Sequence, residues 1–161
     1  MSKEAEEIDA ARLDEDHQVM IGKHAKMKSL SISEIDLVMS DIISKRERSN
    51  QNIPEELRLA ASHCRRFRSF TSETKVKEAR KQLLAQHEAQ DAEGNLRKVR
   101  RCHTFEAAQL INLMPRSEEE AKKLIPTLEE NAYLKDLVSE LQPMRDDAMN
   151  PGTAAQGPGG G

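Results

Sequence analysis

The sequence predicts an all-α fold. Apolar residues recur at helical spacing in segment after segment. Two of these runs open on a Ser with a Glu three positions later, the spacing of a capping box. No run reads as a strand of its own, and there is no internal repeat. With 161 residues, the chain has room for one domain plus tails.

Taken in order, residues 1–16 are acidic and polar and read as a disordered tail. Residues 18–21 form a brief apolar stretch stopped by Gly22. It reads as a loop that tucks Val19 and Ile21 against the first helix, with strand addition to a partner's sheet as the alternative. The first helix starts at Ser31, which pairs with Glu34 as a capping box. Leu30 and Ile35 stand as the hydrophobic staple around it. Ile35, Val38, Met39, Ile42 and Ile43 then share one face.

Pro54, with Glu55 and Glu56, suits the first turn of a second helix, whose apolar side is Leu57, Ala60, Ala61, Cys64 and Phe67. A third helix presents Val76, Ala79, Leu83 and Leu84. Residues 86–101 are polar, hold the turn signal Gly94-Asn95, and read as an extended or exposed connection.

Thr104 is placed to cap a fourth helix with Ala107, Leu110, Ile111 and Met114 inward, broken at Pro115. Ser117, followed by Glu118, Glu119 and Glu120, caps a fifth helix with Ala121, Leu124, Ile125 and Leu128 on its apolar side. The last helix carries Leu134, Leu137, Val138 and Leu141 and is expected to end at Pro143. Four units follow: a disordered acidic tail at 1–16, a docking segment and first helix at 17–49, a helical bundle at 50–142 with a polar insertion at 86–101, and a disordered Gly/Pro-rich tail at 143–161.

Composition narrows the function. Hydrophobic residues make up 37% and charged residues 33%, lean for a self-sufficient globule and suited to a core completed by a partner. One Tyr, three Phe and no Trp leave few stacking platforms for single-stranded nucleic acid. The net charge of −3 argues against a surface that is basic throughout. No apolar run is long enough to span a membrane, and the acidic N-terminus lacks a secretory signal core. Cys64 and Cys102 are expected as free thiols.

Catalytic signatures are weak. His87-Glu88 followed by Asp91 lacks the second His of a zinc-protease helix. His63-Cys64 and Cys102-His103 place neighbouring side chains about 100° apart on a helix, which does not suit a shared metal. No phosphate-cradling or nucleophile-elbow motif occurs, so neither catalytic residues nor a cofactor are expected. Two basic clusters remain: Arg65, Arg66 and Arg68, and Arg97, Lys98, Arg100 and Arg101. The second, denser and set in flexible sequence, is the candidate nucleic-acid contact, against the alternative of a solvated face neutralised by acids.

The segment His103-Thr104-Phe105-Glu106-Ala107-Ala108-Gln109-Leu110, followed by Glu119-Glu120-Ala121-Lys122-Lys123-Leu124-Ile125-Pro126-Thr127-Leu128, resembles the C-terminal signature of the fourth-subunit family of eukaryotic RNA polymerase II, a family with a counterpart in the archaeal polymerase. Met114-Pro115 stands at the family's Cys-Pro-like break, and Thr127 where Ser is usual. Arg66-Phe67-Arg68-Ser69-Phe70, Glu73-Thr74 and Leu30-Ser31-Ile32-Ser33-Glu34 resemble its upstream segments, so the similarity spans about residues 14–142. The insertion at 86–101 departs from the family's short link.

The resemblance implies an HRDC-like helical bundle and a non-catalytic, nuclear stalk subunit of RNA polymerase II. Its obligate partner would be the seventh subunit, with the pair set near the RNA exit channel and supporting initiation and RNA handling. Nascent RNA would be met mostly through the partner, the polymerase core would be the second contact, and no membrane is involved. Val19, Ile21, Leu30, Ile35, Val38, Met39 and Ile42 are the expected partner face. Phe67, Phe70, Phe105, Leu110, Leu124 and Leu128 are expected to hold the bundle. A polymerase III stalk subunit and a free-standing RNA-binding adaptor are the rival readings.

Overall fold

The computed structural model describes residues 27–149. Val19 and Ile21 lie outside the described residues. Helix α1 spans Ile32–Arg48. Ser31 caps it: the Ser31 Oγ accepts from the Glu34 N–H, and the Glu34 carboxylate accepts from the Ser31 N–H at 2.7 Å. Lys45, Arg46 and Arg48 complement the negative end of its dipole. Helix α2 (Glu55–Phe67) begins after Pro54 and packs on α1. Helix α3 (Glu73–Leu83) is capped by Ser72.

The chain then departs from the all-α expectation. Residues 86–101 do not form a loose connection. Strands β1 (Gln86–Gln90) and β2 (Leu96–Arg100) pair as an antiparallel hairpin, with Gln86 opposite Arg100 and Gln90 opposite Leu96. The turn explains the pairing. The Asp91 carboxylate accepts from the Glu93 and Asn95 N–H groups at 3.0 and 2.8 Å, and Gly94 supplies a φ of 83° that a side chain would resist. The Asn95 N–H, then that of Glu93, and the Arg97 guanidinium hold the Asp91 carboxyl below its ordinary range. The inner face is anchored where His87 Nε2 meets the Tyr133 hydroxyl at 2.6 Å with the rings edge-on.

Helix α4 spans Thr104–Leu113, and its cap is His103, one residue before the expected Thr104. His103 Nδ1 accepts from the Phe105 N–H at 3.1 Å, and the Glu106 carboxylate accepts from the His103 N–H at 2.7 Å. Thr104 Oγ1 instead accepts from the Ser29 N–H, tying the approach to α1 onto α4. Met114 takes the left-handed conformation (φ 45°) that ends α4 before Pro115.

Helix α5 (Glu118–Leu124) leads through a 3-10 turn at Pro126–Leu128 to α6, Leu134–Met149. Helix α6 therefore does not stop at Pro143. An interior proline costs about 3 kcal/mol, but the turn beyond it is anchored. Met144 is buried, and Arg145 donates to the carbonyl oxygens of Met114 and Pro115 at 3.2 and 2.7 Å.

The core is built from α3 to α6. Val76, Leu83, Leu110, Ile111, Leu128, Leu137 and Leu141 are fully enclosed, with Phe70 beside them. Phe105 is half-buried. Two expected core residues are not inside. Phe67 is 53% exposed, because α2 meets α1 through the small residues Ala61 and Cys64, while Phe67 ends the helix beyond them. Its ring packs on His63 and under the Arg66 guanidinium instead. Leu124 is 44% exposed at the end of a short helix, where Ala121, Ile125 and Leu128 occupy the inward positions.

Candidate partner-docking face

Helix α1 is inverted relative to an ordinary surface helix. Its buried residues are Ser33 and Asp36, both polar. Ser33 Oγ accepts from the N–H groups of Ser69 and Phe70, each at 3.0 Å, where the chain leaves α2. The Asp36 carboxylate accepts from Arg68 Nη1 at 2.7 Å, with Arg65 Nε farther off at 4.0 Å.

The start of α1 is held by further polar contacts. The Ile32 N–H donates to Asn112 Oδ1 at 2.8 Å, and Arg80 Nη1 donates to the Ser29 carbonyl and to both Glu34 oxygens. Leu37 is the α1 side chain that reaches the apolar cluster. These directional hydrogen bonds fix the start and polar side of α1, while α2 packs along it through Ala61 and Cys64.

The apolar face is left outward. At 100° per residue Val38 lies about 200° around the helix from Asp36, with Ile42 and Ile35 about 40° and 60° from it and Met39 at the edge nearer Asp36. Leu30, Val38 and Ile42 are exposed, and Ile35 and Met39 are half-buried. On a free monomer such an apolar row gains nothing from facing water, and it suits burial against another surface. Exposed Leu59 and Phe67 on α2 escape the sequence reading, since helical periodicity marks an apolar side without telling whether a neighbour covers it.

The second basic cluster is divided. Arg97 pairs with Asp91 at 2.9 Å, and Arg101 forms a two-pronged pair with Glu140 at 2.6 and 2.8 Å while donating to the Gln82 carbonyl. Lys98 and Arg100 are exposed on one face of β2, Lys98 opposite Glu88.

The geometry offers little to chemistry. Burial, then Glu106, pushes the Cys102 thiol up to about 12, and burial, then Asp36, raises that of Cys64, so both remain protonated at neutral pH. Among the described residues no three His, Cys, Asp or Glu side chains gather as a metal site. The chain matches the family model described as RNA polymerase Rpb4 over residues 4–145, and it belongs to that family.

Proposed function

We propose, from membership of the RNA polymerase Rpb4 family, that this chain is the stalk subunit of a nuclear RNA polymerase II and carries the seventh-subunit homologue on the outward face of α1. The coarser statement follows from the family alone: the chain is a non-catalytic RNA polymerase stalk subunit that associates with the polymerase core. The finer reading rests on one observation. Helix α1 buries Ser33 and Asp36 and leaves Val38 and Ile42 outside.

A partner covering Leu30, Ile35, Val38, Met39 and Ile42 would supply the apolar burial that the chain's composition lacks. In this reading the bundle is of the HRDC-like type and serves as a buttress. The partner carries most of the contact with nascent RNA, and the pair acts in initiation and RNA handling.

Affinity purification of the tagged chain from its own cells, with mass spectrometry of what co-elutes, tests this. A seventh-subunit homologue together with the polymerase II core is the expected result. Polymerase III subunits would reassign the enzyme. RNA-binding proteins without a polymerase would overturn the stalk reading in favour of a free-standing adaptor.

A further inference from the structure

A cleft of about 880 Å³ opens between α3, the hairpin and the start of α4. Its lining is strongly cationic: Lys28, Lys77, Arg80, Lys81 and Arg100 all contribute. Lys77, Arg80 and Lys81 stand at i, i+3 and i+4 on α3, so one helical face delivers three charges to one place.

Among the described residues, acids match two of these cations and leave three unmatched. Glu34 is taken up by Arg80 and the α1 cap, and Glu73 pairs with Lys77 at the exposed rim. Lys28, Lys81 and Arg100 have no ion-pair partner among the described residues, and the register sets Arg100 opposite neutral Gln86.

Arg80 gives the cleft a built floor. It is 8% exposed, its Nη1 is occupied by Ser29 and Glu34, and its Nη2 is buried without any acceptor. That Nη2 is closed off from solvent, so Arg80 adds positive potential beneath the cleft, while the exposed Lys28, Lys81 and Arg100 are the side chains that reach an anion. A carboxylate brings one charge. A phosphate monoester brings close to two at neutral pH and three acceptor oxygens, the better match to the three unpaired cations Lys28, Lys81 and Arg100.

The charge also stops at the cleft. Arg97 pairs with Asp91 at the surface, Arg101 pairs with Glu140, and Lys98 stands opposite Glu88 in the hairpin register. A polynucleotide would need a basic track and several stacking surfaces, whereas beside its charges this lining offers Met27, Leu84, Ala85 and Thr104, with the His103 imidazole, which caps α4, as its one aromatic ring.

We propose that this cleft binds the phosphate of a phosphorylated serine or threonine on a partner peptide. The cleft adjoins the start of α1 through Lys28 and Arg80, but Lys81 and Arg100 lie outside the α1 face, so substituting these two tests the cleft by itself.

The test uses the full chain and a short fluorescent peptide with one central phosphoserine. Its unphosphorylated form, inorganic phosphate and single-stranded oligouridine serve as comparisons in fluorescence polarisation and competition. Saturable binding of the phosphopeptide alone is expected. It should weaken about tenfold for Lys81→Glu and again for Arg100→Glu, since each removes a charge-assisted contact. Both side chains are exposed, so an unchanged melting temperature is expected and separates lost binding from lost folding.

Four results would overturn the proposal: equal binding of the unphosphorylated peptide, inorganic phosphate competing as tightly as the phosphopeptide, oligouridine displacing it at lower concentration, or insensitivity to both substitutions.

Discussion

Replacing Val38 and Ile42 together by Asp separates docking from folding. The two side chains are 49% and 38% exposed in the isolated chain. Complete burial of a Val or Ile is worth about 1.5–3 kcal/mol, so each retains about 1 kcal/mol to gain beneath a partner. An unpaired carboxylate in their place adds a desolvation penalty of about 1–3 kcal/mol per site. The double variant should therefore lose at least about 4 kcal/mol of association, on the order of a thousandfold in Kd. Meanwhile the stability of the isolated chain should move by no more than about 1 kcal/mol, as surface substitutions do. Isothermal titration calorimetry with the purified seventh-subunit homologue measures the first quantity, and thermal denaturation of the chain alone the second. Unchanged association would refute the α1 assignment. A collapse in melting temperature would refute the premise that these side chains face water.

Three further outcomes follow from the packing. Ser33→Ala should cost about 1–3 kcal/mol in chemical denaturation, because the N–H groups of Ser69 and Phe70 lose their acceptor; an unaltered midpoint would mean that other acceptors take its place. Phe70→Ala should cost about 3–5 kcal/mol, whereas Phe67→Ala, three positions earlier and half exposed, should cost less than about 1 kcal/mol. Equal losses in the same denaturation series would contradict the burial described. Glu106 is an acid whose folded pKa is raised, chiefly by burial, above its ordinary value of 4.5, so its contribution is fully present below that value and is lost as pH rises through the folded pKa. Glu106→Gln keeps an acceptor for the His103 N–H and removes this dependence. Its melting temperature should rise relative to the unsubstituted chain as pH increases from about 4.5 towards neutrality, and parallel curves would exclude the effect.

Local chemistry that is written locally was legible. Ser31 with Glu34, and Ser117 with the acids after it, set helix starts where the capping pattern predicts them. The periodicities of α3, α4 and α6 named Val76, Leu83, Leu110 and Leu137 as core. The misses share a cause: each depends on a distant residue. The hairpin strands are polar, so no alternation advertises them; Tyr133 and the Asp91 turn hold them in place. Pro143 reads as a stop until Arg145 is seen to reach the carbonyls after α4. Phe67 reads as core until α2 is seen to meet α1 through Ala61 and Cys64. The basic cleft gathers Lys28, Lys81 and Arg100 from three separate segments, and only the α3 triplet Lys77, Arg80 and Lys81 hints at it in one dimension.

The polar attachment of α1 has a mechanical meaning. A helix laid on an apolar bed can roll about its long axis at little cost, because hydrophobic contact has no preferred direction. Hydrogen bonds weaken steeply when bent. Ser33 gripping two successive backbone amides, Asp36 held by Arg68, and the Ile32 amide held by Asn112 therefore lock the azimuth of α1 as a keyway locks a shaft. The row from Leu30 to Ile42 is presented at one fixed angle, so whatever docks there inherits its orientation from the bundle. A subunit that holds another at a set angle needs such a joint more than it needs a larger core.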